Sequence, residues 1–193
     1  MKKLKSLISV FLVLAILSIG FACSKRNPQK ESQEEILFTY SGNTITGLTS
    51  EGEKRRILTI PSEIDGVKIT RVGSSSFSEN TALQEVVISD GITFIGENAF
   101  YDCSSLTKVT MPSTLEIIDD NAFSFCMLLK EISLPKTISL IDENAFEFCE
   151  SLEKIIYDGS YEEWQLIDIH HDWSLNSSLR VLICDGEEYS MTY

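Results

Sequence analysis

Histidine and basic residues are scarce in this chain of 193 residues, which carries 2 histidines and 16 lysines plus arginines against 29 aspartates and glutamates. Each shortage excludes something. Two histidines cannot form a repeating column of metal ligands, and the 5 cysteines contain no pair with C-x-x-C spacing, so the usual zinc patterns are missing. There is no nucleophile motif and no phosphate-binding glycine loop, and nothing calls for a cofactor. The net charge of −13 repels nucleic acid and anionic lipid heads, and it favours solubility without identifying a partner. Long apolar runs are missing too. The one uncharged greasy segment, Leu7 to Ala22, has 16 residues, slightly short of the about 20 that span a bilayer comfortably.

What is present at the start is instructive. Lys2, Lys3 and Lys5 precede the apolar run, and Gly20-Phe21-Ala22-Cys23 closes it. A basic start, a short greasy core and small residues before a break read as an export signal over residues 1–22. The closing residues resemble the lipobox of bacterial lipoproteins, with Gly20 in place of the usual branched aliphatic. That resemblance implies cleavage before Cys23, acylation of Cys23, and a protein lipid-anchored in the bacterial outer membrane or at the cell surface. The competing readings are an uncleaved anchor, or plain secretion with Cys23 incidental. Removing residues 1–22 leaves 13 basic against 29 acidic residues, a net charge of −16. Residues 23–35, with SKRNPQKESQEE after Cys23, are charged and offer nothing to a core. They read as a disordered tether.

From residue 36 onward the chain repeats itself. IGENAFYDC, IDDNAFSFC and IDENAFEFC begin at Ile95, Ile118 and Ile141, a step of 23 residues. At that step Phe77, Phe100, Phe123 and Phe146 form one column, Leu83, Leu106, Leu129 and Leu152 a second, and Val86, Val109, Ile132 and Ile155 a third. Val72, Ile95, Ile118 and Ile141 make another. A period of 20–29 residues with this core signals a leucine-rich-repeat solenoid. The expected class is an α/β repeat solenoid, with parallel strands on one face and short helical turns on the other. Val109-Thr110-Met111 alternates as a half-buried strand, and Pro112 and Pro135 end such strands. A second extended piece ends at the isoleucine of the repeated phrase. The phrase itself is expected to be helical, with Asp119 and Asp142 as N-caps and Gly73 and Gly96 in the same column. Ala122, Phe123 and Cys126 should point inward, because stacking alone can bury each coil's apolar face.

The ends depart from the period. ILFTYSGNTITGL predicts a hairpin cap over 36–57 turning at Ser41-Gly42-Asn43. Coils occupy 58–157, the first carrying a small insertion at SEIDGVKIT. Residues 158–193 form a C-terminal cap and tail, with YEEWQLI helical, LRVLICDG a final strand, and Trp164 and Trp173 as lids.

Ile118 to Pro135 resembles, almost position by position, the repeat of the BspA-like leucine-rich-repeat surface proteins of bacteria, I-[GD]-x-x-A-F-x-x-C-x-x-L-x-x-[VI]-x-[IL]-P. IDGVKI, YDGSYEEW and Cys184-Asp185-Gly186 resemble that family's first and last coils. The likeness extends over about residues 37–186. It implies a curved, right-handed repeat domain on the cell surface, associated with adhesion and with binding of host or matrix proteins.

Several constellations compete with a purely structural reading. Cys103, Cys126 and Cys149 share a column and read as buried small hydrophobes, as does Cys184. DIHHDW holds both histidines. Asp168, His170, His171 and Asp172 form a weak metal candidate, because adjacent residues on a strand point to opposite faces and a helix needs i, i+4 spacing. On the strand face, Glu85, Lys108, Glu131 and Lys154 alternate in sign and are expected to neutralise one another laterally. Val87, Thr110, Ser133 and Ile156 beside them are bland. Phe125 and Phe148 lie two residues beyond the buried phenylalanines and, with Tyr101, form a candidate aromatic contact patch.

The reading that follows is a monomeric, non-enzymatic surface lipoprotein. It binds a protein or glycan, touches the membrane only through its lipid, and uses no nucleic acid. The alternatives are a structural envelope lipoprotein without an external ligand, and a metal-binding protein built on DIHHDW.

Overall fold

Apolar and polar residues alternate over a few positions once per repeat, and each such stretch forms a strand with its apolar residues inward. In the computed structural model, which describes residues 37–191, the chain opens with β1 (Phe38–Ser41) and β2 (Thr44–Leu48). The export signal, Cys23 and the tether lie outside the described residues. β3 (Ile57–Ile60) follows, then two short strands, β4 (Glu63–Ile64) and β5 (Val67–Lys68), and β6 (Arg71–Val72). From there a four- or three-residue strand alternates with a two-residue strand. These are β7 (Glu85–Ile88), β8 (Phe94–Ile95), β9 (Lys108–Thr110), β10 (Ile117–Ile118), β11 (Glu131–Leu134), β12 (Leu140–Ile141) and β13 (Lys154–Tyr157). A single helical turn, α1 (Tyr161–Trp164), precedes β14 (Asp168–Ile169), β15 (Val181–Cys184) and β16 (Glu187–Ser190).

The strands stack into two walls. The short strands form one seven-stranded sheet, β1-β2-β6-β8-β10-β12-β14, parallel except for the β1–β2 hairpin. Register partners along it are Val72, Ile95, Ile118 and Ile141, all fully buried. The long strands form β3-β7-β9 and β11-β13-β15-β16, with a seam between β9 and β11. The hairpin turns at Gly42, whose φ of +57° suits glycine. The insertion in the first coil is the β4–β5 hairpin, which turns at Asp65-Gly66 with both φ positive, the sequence that a two-residue turn of this hand favours. After Tyr157 the 23-residue spacing is lost, yet stacking continues, because β14 pairs with β12 and β15 with β13. β16 then folds back antiparallel on β15.

The repeated phrase is not helical, which corrects the expected helical turns. Helix needs every N–H to reach the carbonyl four residues back. Here alternate amides do two different things. Ala99, Tyr101 and Cys103 N–H donate three residues back, to Gly96, Asn98 and Phe100. Asn98, Phe100 and Asp102 N–H donate instead to Asp120, Ala122 and Ser124 of the next coil. Left-handed residues at Asn98 and Asp102, with φ of +55° and +50°, break any helical run. Asn121 and Asn144 repeat the first of these conformations, which explains the asparagine of the phrase, since asparagine tolerates that region better than most residues. Asp119 and Asp142 therefore cap no helix. Their carboxylates accept the next residue's N–H at 3.1 and 2.8 Å.

The interior is one file of rings. Phe77, Phe100, Phe123 and Phe146 stack nearly parallel, with centroids 4.9, 5.0 and 5.4 Å apart. Phe38 meets Phe77 edge-on at 6.4 Å and Trp173 meets Phe146 edge-on at 5.9 Å, so an aromatic closes each end. Each such contact contributes roughly 0.5–1.5 kcal/mol beyond burial. Trp164 packs beside Trp173, held by a capping box between Ser160 and Glu163.

Candidate binding surfaces

Stacking turns residues 23 positions apart into neighbours, so every outward column is a stripe on the surface. On the long-strand wall, Glu85 lies opposite Lys108 and Glu131 opposite Lys154 in strict register. Their side chains do not meet. Among the described residues no ion pair within 4.0 Å joins these four. The seam between β9 and β11 also separates Lys108 from Glu131. The expected self-neutralising ladder is thus a row of solvated charges. Val87 is 37% exposed, and Thr110 and Ser133 are exposed beside it. Ile156 continues the stripe half-buried and is in register with Ile183. Here the wall dips into an open groove of about 610 Å³. Met111, Ile156 and Ile183 contribute apolar lining, and Asp158 and Asp185 contribute acid. Sequence reasoning missed this groove because Ile183 joins Ile156 only through the irregular last coil.

The corner of the repeated phrase carries a second stripe. Tyr101 meets Phe125 edge-on at 5.4 Å, and Phe125 stacks on Phe148 at 4.6 Å. All three are half-buried. Phe125 and Phe148 adopt φ of +62° and +55°, in a column that Glu79, Asp102 and Asn176 also occupy in left-handed form. A bulky side chain is unfavourable there, and the ring contacts between coils offset that cost at these two positions. Ser124, next to Phe125 in the chain, is fully buried and its hydroxyl has no hydrogen-bond partner. Met127 and Leu128, 38% and 48% exposed, follow Phe125 after the buried Cys126, and Leu175, 49% exposed, accepts at its carbonyl from the Phe148 N–H. The signal for Met127 and Leu128 lies in the repeat itself: the equivalent positions are Ser104-Ser105 and Glu150-Ser151.

The short-strand wall offers a third stripe that sequence reasoning overlooked. The Arg71 guanidinium lies 3.4 Å from the centroid of the Phe94 ring, and Phe94 is in register with Ile117 and then Leu140, all half-buried. A cation over an aromatic face contributes about 0.5–1 kcal/mol at such a site.

The histidine cluster is split. His170 Nδ1 faces back to Asp142 and Glu143 of the preceding coil, at 3.2 and 3.6 Å. His171 Nε2 meets Asp172 at 2.8 Å. Asp168 sits exposed on β14. Among the described residues no group of three or more histidine, cysteine or carboxylate side chains is placed to hold a metal ion. The cysteine column is interior. Cys103, Cys126 and Cys149 are fully buried, and each thiol donates to a phenylalanine carbonyl of the coil before it. Burial pushes the Cys103 and Cys149 thiols up to about 12 and raises Cys126 well above its ordinary value. No helix among the described residues is long and apolar enough to cross a membrane.

The sequence matches the BspA type leucine rich repeat region, in six copies, over residues 57–166. Solved structures of bacterial leucine-rich-repeat proteins share the fold. The leucine rich repeat protein of T. pallidum aligns at 23% identity and a TM-score of 0.50, over 62% of this chain and 68% of that one. A leucine rich cell surface protein of Faecalibacterium prausnitzii A2-165 aligns at 23% identity and a TM-score of 0.56, over 68% of this chain and 40% of that one. A leucine-rich repeat protein of Bacteroides capillosus ATCC 29799 aligns at 24% identity and a TM-score of 0.55, over 64% of this chain and 99% of that one. At these identities the likeness is one of fold, and the chain spans well under half of the F. prausnitzii protein. No curated protein matches the chain.

Proposed function

The chain belongs to the BspA-type leucine-rich-repeat family, and from that membership we propose that it is a non-enzymatic recognition module. It is displayed at the bacterial surface on a lipid attached to Cys23, and it binds a protein or a glycan. The observation that carries this reading is the register of the walls. Ser133, Ile156 and Ile183 come from three separate coils and lie side by side, forming a broad surface that no one coil contains. A solenoid is suited to this, because each added coil extends the same face. The solved structure of a related fold from F. prausnitzii is described as a cell surface protein, which supports display.

Two measurements test the proposal together. Protease added to intact cells should remove the domain, and the purified chain should bind at least one component of a panel of matrix proteins and glycans. Full protection from protease, with envelope components alone recovered after crosslinking, would instead favour a spacer role inside the envelope.

A further inference from the structure

Resting on the recognition-module reading, we propose that the corner centred on Phe125 and Phe148 docks a protein segment that presents aliphatic or aromatic side chains flanked by lysine or arginine. Three observations converge there. The first is composition. Met127 and Leu128 are exposed where the neighbouring coils place Ser104-Ser105 and Glu150-Ser151, and Leu175 extends the same apolar ground. Met127 and Leu128 are adjacent in the chain, and exposed apolar side chains close together on an acidic surface mark a contact site.

The second is backbone conformation. Phenylalanine occupies a left-handed position at 125 and again at 148, where the same column elsewhere holds Glu79, Asp102 and Asn176. The two rings stack on each other with an angle of 24° between planes. Their faces are thereby pre-ordered, which lowers the entropic cost of binding.

The third is charge. Glu147 is adjacent, its carbonyl accepting from the Phe125 N–H at 2.8 Å; Asp102 holds the position of Phe125 one coil earlier, and Glu150 follows Phe148 by two residues. The chain as a whole is acidic, at −13. Acidic residues beside an apolar centre repel anionic partners and attract cationic ones through Coulomb attraction. Apolar side chains on the partner cover Met127, Leu128 and Leu175.

The test pans a random peptide library displayed on phage against the purified full chain. It then measures each recovered peptide on wild type and on two charge-neutral double variants, Phe125→Asn with Phe148→Asn, and Met127→Ser with Leu128→Ser. Asparagine suits the left-handed column, as at Asn176, and serine copies the neighbouring coils, so both variants keep the fold. Retained melting temperature checks this. Recovered peptides should pair lysine or arginine with leucine, isoleucine, phenylalanine or tryptophan, and should lose about tenfold or more in affinity on both variants, as truncation of a buried anchor does. Peptides without basic enrichment, peptides that bind the variants as tightly as wild type, or an empty selection would overturn the inference. Binding that survives both corner variants but is lost on Ile156→Ser with Ile183→Ser would move the site to the groove and leave the recognition-module reading intact. If that reading itself were wrong, the intact chain would fail on the matrix panel as well.

Discussion

The Cys126 thiol donates to the backbone carbonyl of Phe100, 3.3 Å away in the preceding coil. The same bond recurs from Cys103 to Phe77 and from Cys149 to Phe123. Each cysteine thus fills a small apolar space and ties one coil to the one before it. Because the thiolate, not the thiol, is the nucleophile, burial that raises Cys103 and Cys149 to about 12 and Cys126 well above its ordinary value makes them inert. Ellman's reagent at pH 8 should leave Cys103, Cys126 and Cys149 unmodified in the native protein and titrate them promptly in denaturant. Rapid native reaction at any of the three would place that residue outside the core.

Phe123 and Phe125 are two residues apart and serve opposite faces. Phe123 is fully buried in the ring file, and Phe125 lies on the outer corner. Phe123→Ala should cost about 3–5 kcal/mol, as a large-to-small change in a packed core does. Phe125→Asn should leave stability within about 1 kcal/mol, because relief of the left-handed backbone offsets the lost ring contact. Chemical denaturation of the two variants measures the contrast.

Ser124 buries a hydroxyl with no partner. Removing an unsatisfied polar group without changing the shape of the site is favourable, so Ser124→Ala should raise stability by about 1 kcal/mol. A loss of stability on that change would mean the hydroxyl is bonded.

The Asp120 carboxyl is raised above its ordinary value, first by burial and then by the nearby Asp142 carboxylate. The folded state therefore holds this proton more tightly than the unfolded chain. Its contribution is favourable at low pH and is lost as pH rises through the carboxylate range. Asp120→Asn should raise the melting temperature at pH 7 and reduce the gain seen on mild acidification. An unchanged pH profile would remove Asp120 from the account.

Much of the fold was legible because packing repeats. Columns such as Phe77 to Phe146 and Val72 to Ile141 name the interior directly, since each coil must bury the same face against the next. The turns were misread. IDENAFEFC was expected to be helical with Asp142 as its N-cap, but Asn144 and Phe148 are left-handed, and that conformation follows from bonds to the neighbouring coil that no local pattern reveals. The charge column was correctly aligned and wrongly paired, because register fixes backbones and leaves long side chains free to stay solvated. The corner at Phe125 was visible in the sequence, whereas Met127, Leu128 and Leu175 needed the structure to join it. The groove needed it most, since its floor comes partly from the last coil, where the period fails.

The fold rests on a single stack of coils whose rings form one file. Nuclear Overhauser contacts between selectively labelled phenylalanine rings test it most directly. The stack predicts ring contacts from Phe77 to Phe100, Phe100 to Phe123 and Phe123 to Phe146, where centroids lie 4.9 to 5.4 Å apart, and none from Phe77 to Phe146. Rings at 100, 123 and 146 that share no such contacts would contradict it.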